Sequence, residues 1–360
     1  MIAVVLVLAR SASAEGPTPA EAARLLAGGG GDAAAGVAAA EVLASATTKE
    51  ERDRAVPPLL DALAHRSSDV RAAAALALAK IRDERALGRL SKRMAEESDE
   101  AVLASLLLAV GAVGGEAEVP LVAPYANRAS ARLRCAAATA LGDLGGPAAR
   151  ERLLALLLGP GEDPEWAVRG AVFLALARGG VREDAGTIFV AYRDGRGASS
   201  WFARASLARS IALLDVDPVP TLDRLVADDD GRVSAAAAAG FVLAKKPEEA
   251  VKRLDDRRPG VRAACAVALA EARVEGVTAK ILAMATGDES RAVRWSAALA
   301  LSRLDVAEAD GLVLEGLASD DAAVWVTALA ELERKTGRHV GRDGPAWKRV
   351  LSERRAALSK

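Results

Sequence analysis

Apolar and polar residues follow a helical period along this chain, and the pattern restarts at nearly constant intervals. Nine segments align, beginning at Val70, Val102, Leu133, Val168, Ala203, Val233, Val261, Val293 and Val324, with steps of 28 to 35 residues between them. With the first residue of each numbered 0, apolar side chains fall at offsets 0, 4, 7, 8 and 11, a single stripe on a 3.6-residue helix. VRAAAALALAKI from Val70 and VRAACAVALAEA from Val261 are examples. A recurrence near 31 residues marks a repeat array. Each segment predicts the second helix of a pair, and the first helix lies upstream, as in residues 56–64 and 279–285.

Short polar turns join the two helices. They hold Ser68-Asp69, Ser98-Asp99, Asp163-Pro164, Asp228 to Asp230, Asp288-Glu289 and Asp320-Asp321, residue types suited to helix caps and tight turns. Gly114-Gly115, Gly145-Gly146 and Gly179-Gly180 close second helices where left-handed geometry is expected. The run of alanine at offsets 3 to 5 lets neighbouring pairs approach near the lower end of the usual range of helix separations. One pair cannot bury its own apolar face, so stacked neighbours form a continuous thin core. The composition agrees: 51% of the 360 residues are hydrophobic but only 3% aromatic, too few large side chains for one thick core. The fold expected is an all-α, right-handed solenoid of nine to ten antiparallel helical pairs.

The pattern Asp-x-x-x-Val-Arg-x-x-Ala-Ala-x-Ala-Leu resembles the short HEAT-like repeat of the phycobilisome-lyase type, common in bacterial scaffold proteins. The resemblance spans residues 56 to 335, with a degenerate copy over residues 36–45 as N-terminal cap. It implies that the repeated arginine and the preceding aspartate form a structural ladder along the stack. Arg71, Arg134, Arg169, Arg204, Arg262 and Arg294 occupy that place, with Asp69 as an acidic partner, while Leu103, Ser234 and Trp325 replace the arginine. The C-terminal stretch from Thr336-Gly337 through Gly341, Asp343 and Pro345 to Trp347 is similar to a tail that closes many exported bacterial HEAT-repeat proteins. It would lay Trp347 across the open face of the last pair. The expected organisation is a signal peptide at 1–14, a flexible segment at 15–34 with its joint at Gly28 to Gly31, the solenoid at 35–335 and a capping tail at 336–360.

Charge and candidate chemistry add exclusions. There are 48 basic and 49 acidic residues, a balance that argues against a chain-wide nucleic-acid-binding face and leaves room only for local patches. The apolar run from Ile2 to Ala9 followed by Ala12-Ser13-Ala14 reads as a secretory signal cleaved before Glu15, so export to the periplasm or cell envelope is expected. No stretch is long enough to span a membrane. Cys135 and Cys265 sit in alanine-rich helices and read as small buried fillers. The two histidines, His65 and His339, lack metal-ligand spacing, and neither G-x-S-x-G nor a phosphate-binding glycine loop occurs. No catalytic residue, metal or cofactor is expected.

The tryptophans are the candidates for recognition. Trp166 and Trp201 each precede a repeat start by two residues and are expected to stack on one edge. Trp295 and Trp325 fall off the buried stripe, at offsets 2 and 1, beside Arg262, Arg294 and Arg303. Trp and Arg are enriched in binding hot spots, so these five residues are the expected partner-binding patch, against local packing as the alternative. Residues 333–360 carry nine basic and three acidic side chains, which suit an anionic surface or a solvated helical face. The function expected is that of a non-catalytic scaffold for another protein. The resemblance leaves two other classes open, a bilin lyase or isomerase and a DNA-binding or DNA-repair protein.

Overall fold

The computed structural model describes residues 17–27, 32–158, 163–194, 200–214 and 217–358. The expected signal peptide and the joint at Gly28 to Gly31 lie outside the described residues. Within them the chain is helical throughout, with no strand. It divides into two compact units, Met1–Ala203 and Arg204–Lys360.

The first unit begins with α1 (Pro19–Ala27) and α2 (Ala33–Leu43), followed by the pairs α3 (Lys49–Ala62) and α4 (Ser68–Ile81), α5 (Leu87–Glu96) and α6 (Glu100–Val113), α7 (Val119–Val122) and α8 (Ala131–Leu144), α9 (Gly146–Ala155) and α10 (Trp166–Gly179), and then α11 (Asp184–Asp194). The second unit takes up most of α12 (Trp201–Leu213). It continues with α13 (Val219–Val226) and α14 (Gly231–Leu243), α15 (Pro247–Lys252) and α16 (Pro259–Glu271), α17 (Thr278–Gly287) and α18 (Arg291–Arg303), α19 (Ala307–Leu317) and α20 (Ala322–Thr336), closing with α21 (Gly344–Leu358). The even-numbered helices from α4 to α20 are the nine aligned segments. They pack on one another, α4 on α6, α6 on α8 and α8 on α10 in the first unit, and α14 on α16, α16 on α18 and α18 on α20 in the second.

The stripe behaves as its spacing requires. In α4, Val70, Ala74, Ala77, Leu78 and Ile81 at offsets 0, 4, 7, 8 and 11 are all buried, and Ala75 joins them. A backbone contact between neighbours lies beyond the alanine run, at offsets 7 and 9. A Cβ built on Gly111 in α6 would meet the Cα of Ala140 in α8 at 2.6 Å, and one on Gly142 in α8 would meet the Cα of Ala175 in α10 at 2.7 Å. The three helix backbones are in direct contact along this seam.

Three local expectations change. Segment 15–34 contains α1, which buries Ala22 and Leu26 against α2 and α3. Helix α3 starts eight residues before Pro57 because Thr48 and Glu51 cap it reciprocally: the Glu51 amide donates to Thr48 Oγ1 at 3.2 Å and the Thr48 amide to the Glu51 carboxylate at 2.9 Å. Gly180 is left-handed as expected, but Gly114 and Gly115 have negative φ. Several helices end instead on Arg82, Lys245, Arg273 and Asp305 at positive φ.

The last pair is closed by α21. Trp347 is fully buried among Val313, Leu317, Ala328, Leu332 and Leu351, and its indole N–H donates to the Gly341 carbonyl at 2.7 Å. Burial of the ring with its one donor satisfied is what lets a large aromatic seal an otherwise thin core.

The glycine seam makes a prediction with opposite signs at two levels. Gly142→Ala improves helix propensity by about 1 kcal/mol, yet the added methyl strikes the backbone of α10, so a net loss of about 1–3 kcal/mol is expected. Gly88→Ala in α5, where nothing lies within 4 Å of the new Cβ, should be neutral or stabilising. Denaturant unfolding compares them, and an unchanged or raised stability for Gly142→Ala would remove the seam.

Candidate functional site

The most regular polar feature is a row of arginines at offset 1 of the even helices. Arg71 donates from Nε and Nη2 to the Glu97 carboxylate at 2.7 and 3.1 Å. Arg134 does the same to Asp163 at 2.5 and 3.1 Å, Arg204 to Asp228 at 2.7 and 3.0 Å, and Arg262 to Asp288 at 2.8 Å twice. Each acid lies in the turn before the next even helix. The opposite edge of the guanidinium faces back. Nη1 of Arg71 donates to the carbonyls of His65 and Arg66, that of Arg134 to Arg128 and Ala129, and that of Arg262 to Asp256. One side chain thus binds its own turn by the main chain and the following turn by the carboxylate, a use of the planar five-donor fork that lysine could not reproduce.

This corrects the expected ladder in partner and in register. The acid that pairs with Arg71 is Glu97, and Asp69, in the exposed first turn of α4, takes no part. The ladder position is five residues before each repeat start, one place earlier than the resemblance put the aspartate, and the preceding repeat supplies the arginine. The carboxylates also hold the turns: Asp163 accepts the Glu165 amide at 2.9 Å, Asp228 the Asp230 amide at 2.9 Å and Asp288 the Ser290 amide at 2.8 Å. Burial pushes the Glu97 carboxyl up, but hydrogen bonds from Arg71, the Asp99 amide and Arg93 outweigh it and bring it down to about 2. The Arg262 guanidinium likewise holds Asp288 below the ordinary carboxylate range.

Where the arginine is replaced, the turn changes with it. Leu103 is followed by Arg128 at the acid position, so both halves of that rung are missing together. Ser234 instead donates from its hydroxyl to the Val226 carbonyl. The acid that would have faced it, Asp256, is taken by Arg258 two residues on, at 2.9 and 2.8 Å, and held down to about 2 by that guanidinium. At the N-terminal end His65 fills the acid position, and its Nδ1 accepts the Ser67 amide at 3.1 Å. Arg169 donates to the Asp163 carbonyl at 2.6 Å and lies 4.6 Å above the Trp166 ring.

The expected recognition patch is largely committed to internal contacts. Trp295 is half-buried against Gly316 and beside the Trp347 cluster, and its indole N–H donates to Thr327 Oγ1 at 3.2 Å. Trp325, standing where a ladder arginine would be, is half-buried beneath Arg342, whose guanidinium is 4.6 Å from the ring centroid. Arg262 is a ladder residue, and Arg303 pairs with Glu271 of α16. Trp166 meets Tyr192 edge-on at 6.4 Å, and Trp201 meets Phe202 at 5.7 Å. The basic tail is also occupied: Arg334 pairs with Glu331, Lys335 and Arg355 with Asp310, and Arg354 with Asp305.

Burial pushes the Cys135 thiol up to about 11 and that of Cys265 up to about 12, leaving both as unreactive fillers at neutral pH. Among the described residues, no three His, Cys, Asp or Glu side chains are grouped to hold a metal ion, and no helix is long and apolar enough to cross a membrane. The ladder carboxylates Glu97, Asp163, Asp228 and Asp288 were open to discovery from the sequence, since all four stand six residues before the offset-1 position. Arg342 carried no such periodic signal.

Two measurements test the ladder. Arg262→Leu strands Asp288, whose side chain is 8% exposed, and should cost about 3 kcal/mol, whereas Arg303→Ala at the exposed pair with Glu271 should stay within about 0.5 kcal/mol. Equal costs would show that the rungs are no more than surface pairs. Because the folded Glu97 carboxyl lies below its ordinary value, its contribution is present above about pH 4.5 and is lost as pH falls toward 2. Glu97→Gln should therefore flatten the stability curve within that window and leave its shape above pH 5 unchanged.

The family of HEAT repeats matches residues 22–111 and 247–332, and that of PBS lyase HEAT-like repeats matches residues 133–159, together more than half of the chain. A search of curated proteins finds no match. Among solved structures, YibA of Escherichia coli is 17% identical over 69% of this chain and 95% of its own, with a TM-score of 0.40. Human deoxyhypusine hydroxylase is 18% identical over 70% of this chain and 94% of its own, with a TM-score of 0.33. The CpcE and CpcF complex of phycocyanin lyase from Nostoc sp. PCC7120 is 20% identical over 66% and 97%, at 0.35. With TM-scores below 0.5, these likenesses add nothing to the family match. The period, the paired helices and the matched segments agree that the chain belongs to the HEAT-like repeat proteins.

Proposed function

We infer that this protein is a non-catalytic scaffold, exported or envelope-associated, that binds another protein along its repeats. The observation that supports this is a division of labour within each repeat. Offsets 0, 4 and 8 are spent on packing, and the arginine at offset 1 on the turns. Offset 10, on the same helices, is at least partly exposed in all nine copies and changes along the chain: Lys80, Ala112, Asp143 and Arg178 in the first unit, and Leu213, Leu243, Glu271, Arg303 and Arg334 in the second, of which Asp143 with Arg178, Glu271 with Arg303 and Arg334 with Glu331 form ion pairs. A fixed frame whose equivalent positions carry side chains of differing chemistry suits recognition of an extended, specific partner surface. Leu213 and Leu243, 44% and 49% exposed, provide the apolar part of that display. Export is supported by the apolar run and small-residue site before Glu15.

The mature chain beginning at Glu15, immobilised and exposed to envelope and cytosolic fractions of its host, should retain a specific envelope protein. The double substitution Leu213→Glu and Leu243→Glu, which leaves the packed stripe intact, should lower that retention at least tenfold. Recovery of cytosolic proteins only, or an in vivo N-terminus at Met1, would count against the assignment.

A further inference from the structure

The rungs at Arg71, Arg134 and Arg262 have two halves, a carbonyl clamp behind the arginine and a carboxylate in front. The rung at Arg294 has only the first. Its Nη1 donates to the carbonyls of Asp288 and Glu289 at 2.7 and 3.1 Å, the clamp that also fixes Arg71 and Arg134. In place of the acid that the Nε and Nη2 edge meets in four other rungs, the following turn carries Ser319 at the equivalent position.

Two more guanidinium groups meet at that serine. Arg291 donates from Nη2 to Ser319 Oγ at 3.2 Å. Arg342 donates to the carbonyls of Leu317 and Ser319 at 3.1 and 3.0 Å while stacked on Trp325. Among the described residues, none of Arg291, Arg294 and Arg342 has a carboxylate within ion-pair distance. The neighbouring acids are otherwise disposed: Asp321 caps α20 by accepting the Ala323 amide at 2.9 Å, Asp343 accepts the Ala346 amide at 3.0 Å, and Asp320 is exposed. Three cations, Arg294 and Arg342 oriented by main-chain carbonyls and Arg291 by the Ser319 hydroxyl, and none in an ion pair, form an incomplete electrostatic site.

We propose that the turn at Ser319 is a carboxylate-binding site, in which the Arg294 fork receives from outside the chain the group that Asp or Glu provides in the four filled rungs. Carboxylate is the ligand class because the neighbouring rungs of the same unit, Arg204 with Asp228 and Arg262 with Asp288, are spaced to hold that group. Arg291 adds a second donor, and Arg342 keeps the turn positively charged.

The arginine Nε–H resonances of the full chain, titrated with acetate and with a blocked Gly-Asp-Gly peptide at constant ionic strength, test this directly. The Arg294 signal should shift and saturate. Similar saturation by both probes identifies a small carboxylic acid as sufficient, and saturation at lower peptide concentration identifies an acidic segment of a protein. Ser319→Asp supplies the missing group within the chain, so it should abolish the shift and raise the unfolding midpoint by about 2 °C or more, a gain that Arg294→Leu in the same background removes. No saturable shift in the wild type, an undiminished shift in Ser319→Asp, or an earlier unfolding of that variant overturns the proposal. Saturation by sulfate and by neither carboxylate probe overturns it as well.

Discussion

Close approach of helix backbones is the constraint from which the rest of this structure follows. A pair of short helices exposes too much apolar surface to be stable alone, so each must lie against the next with little side-chain volume between them. The seams at Gly111 with Ala140 and at Gly142 with Ala175 leave no room even for a methyl group. Small residues give little burial per contact, and many equivalent contacts replace the few large ones of a compact domain. That accounts for a chain that is half hydrophobic and yet nearly without aromatics.

Packing through alanine and glycine leaves the relative placement of successive turns weakly specified, because small side chains interdigitate poorly. The arginine rungs supply the missing specification. Those at Arg71, Arg134 and Arg262 fix two turns by directional bonds, and the acid each meets is already oriented by a main-chain amide. The substitutions follow the same logic: when the arginine is absent the acid is absent too, as at Leu103 and Arg128, or is neutralised nearby, as at Asp256 by Arg258. A buried charge without a partner would cost more than a rung contributes. Against that background the turn at Ser319, with arginines and no acid at the ladder position, stands apart.

The C-terminal pair handles its open end with charge and aromatic surface together. Trp347 seals the core, Trp295 fills the space over Gly316, and most of the basic side chains of the tail are spent on Asp305, Asp310 and Glu331 or on main-chain carbonyls. The residue types enriched at interfaces are here drawn inward by the need to close a solenoid. The packing does not use the offset-10 row, where Asp143 with Arg178 and Glu271 with Arg303 pair between repeats and Lys80, Leu213 and Leu243 are exposed.

The repeat period, the nine second helices and the buried stripe were legible in the sequence because each depends on interactions within about one helical turn, and nine copies make the same statement. The ends were less legible: α3 begins well before its prolines because a capping box decides the start, and Gly114 and Gly115 have negative φ where residue type alone suggests left-handed geometry. The partner of Arg71 could not be read locally, since Asp69 is near in the chain while Glu97 is near only once two repeats have stacked. The same holds for Trp295 and Trp325, whose offsets place them off the buried stripe but whose partial burial is decided by Gly316, Thr327 and Arg342 of a tail outside the repeat register. Sequence alone determined what each helix buries, because periodicity is a property of a single helix. Tertiary structure alone decided which polar groups meet between repeats, because those distances exist only after the pairs pack.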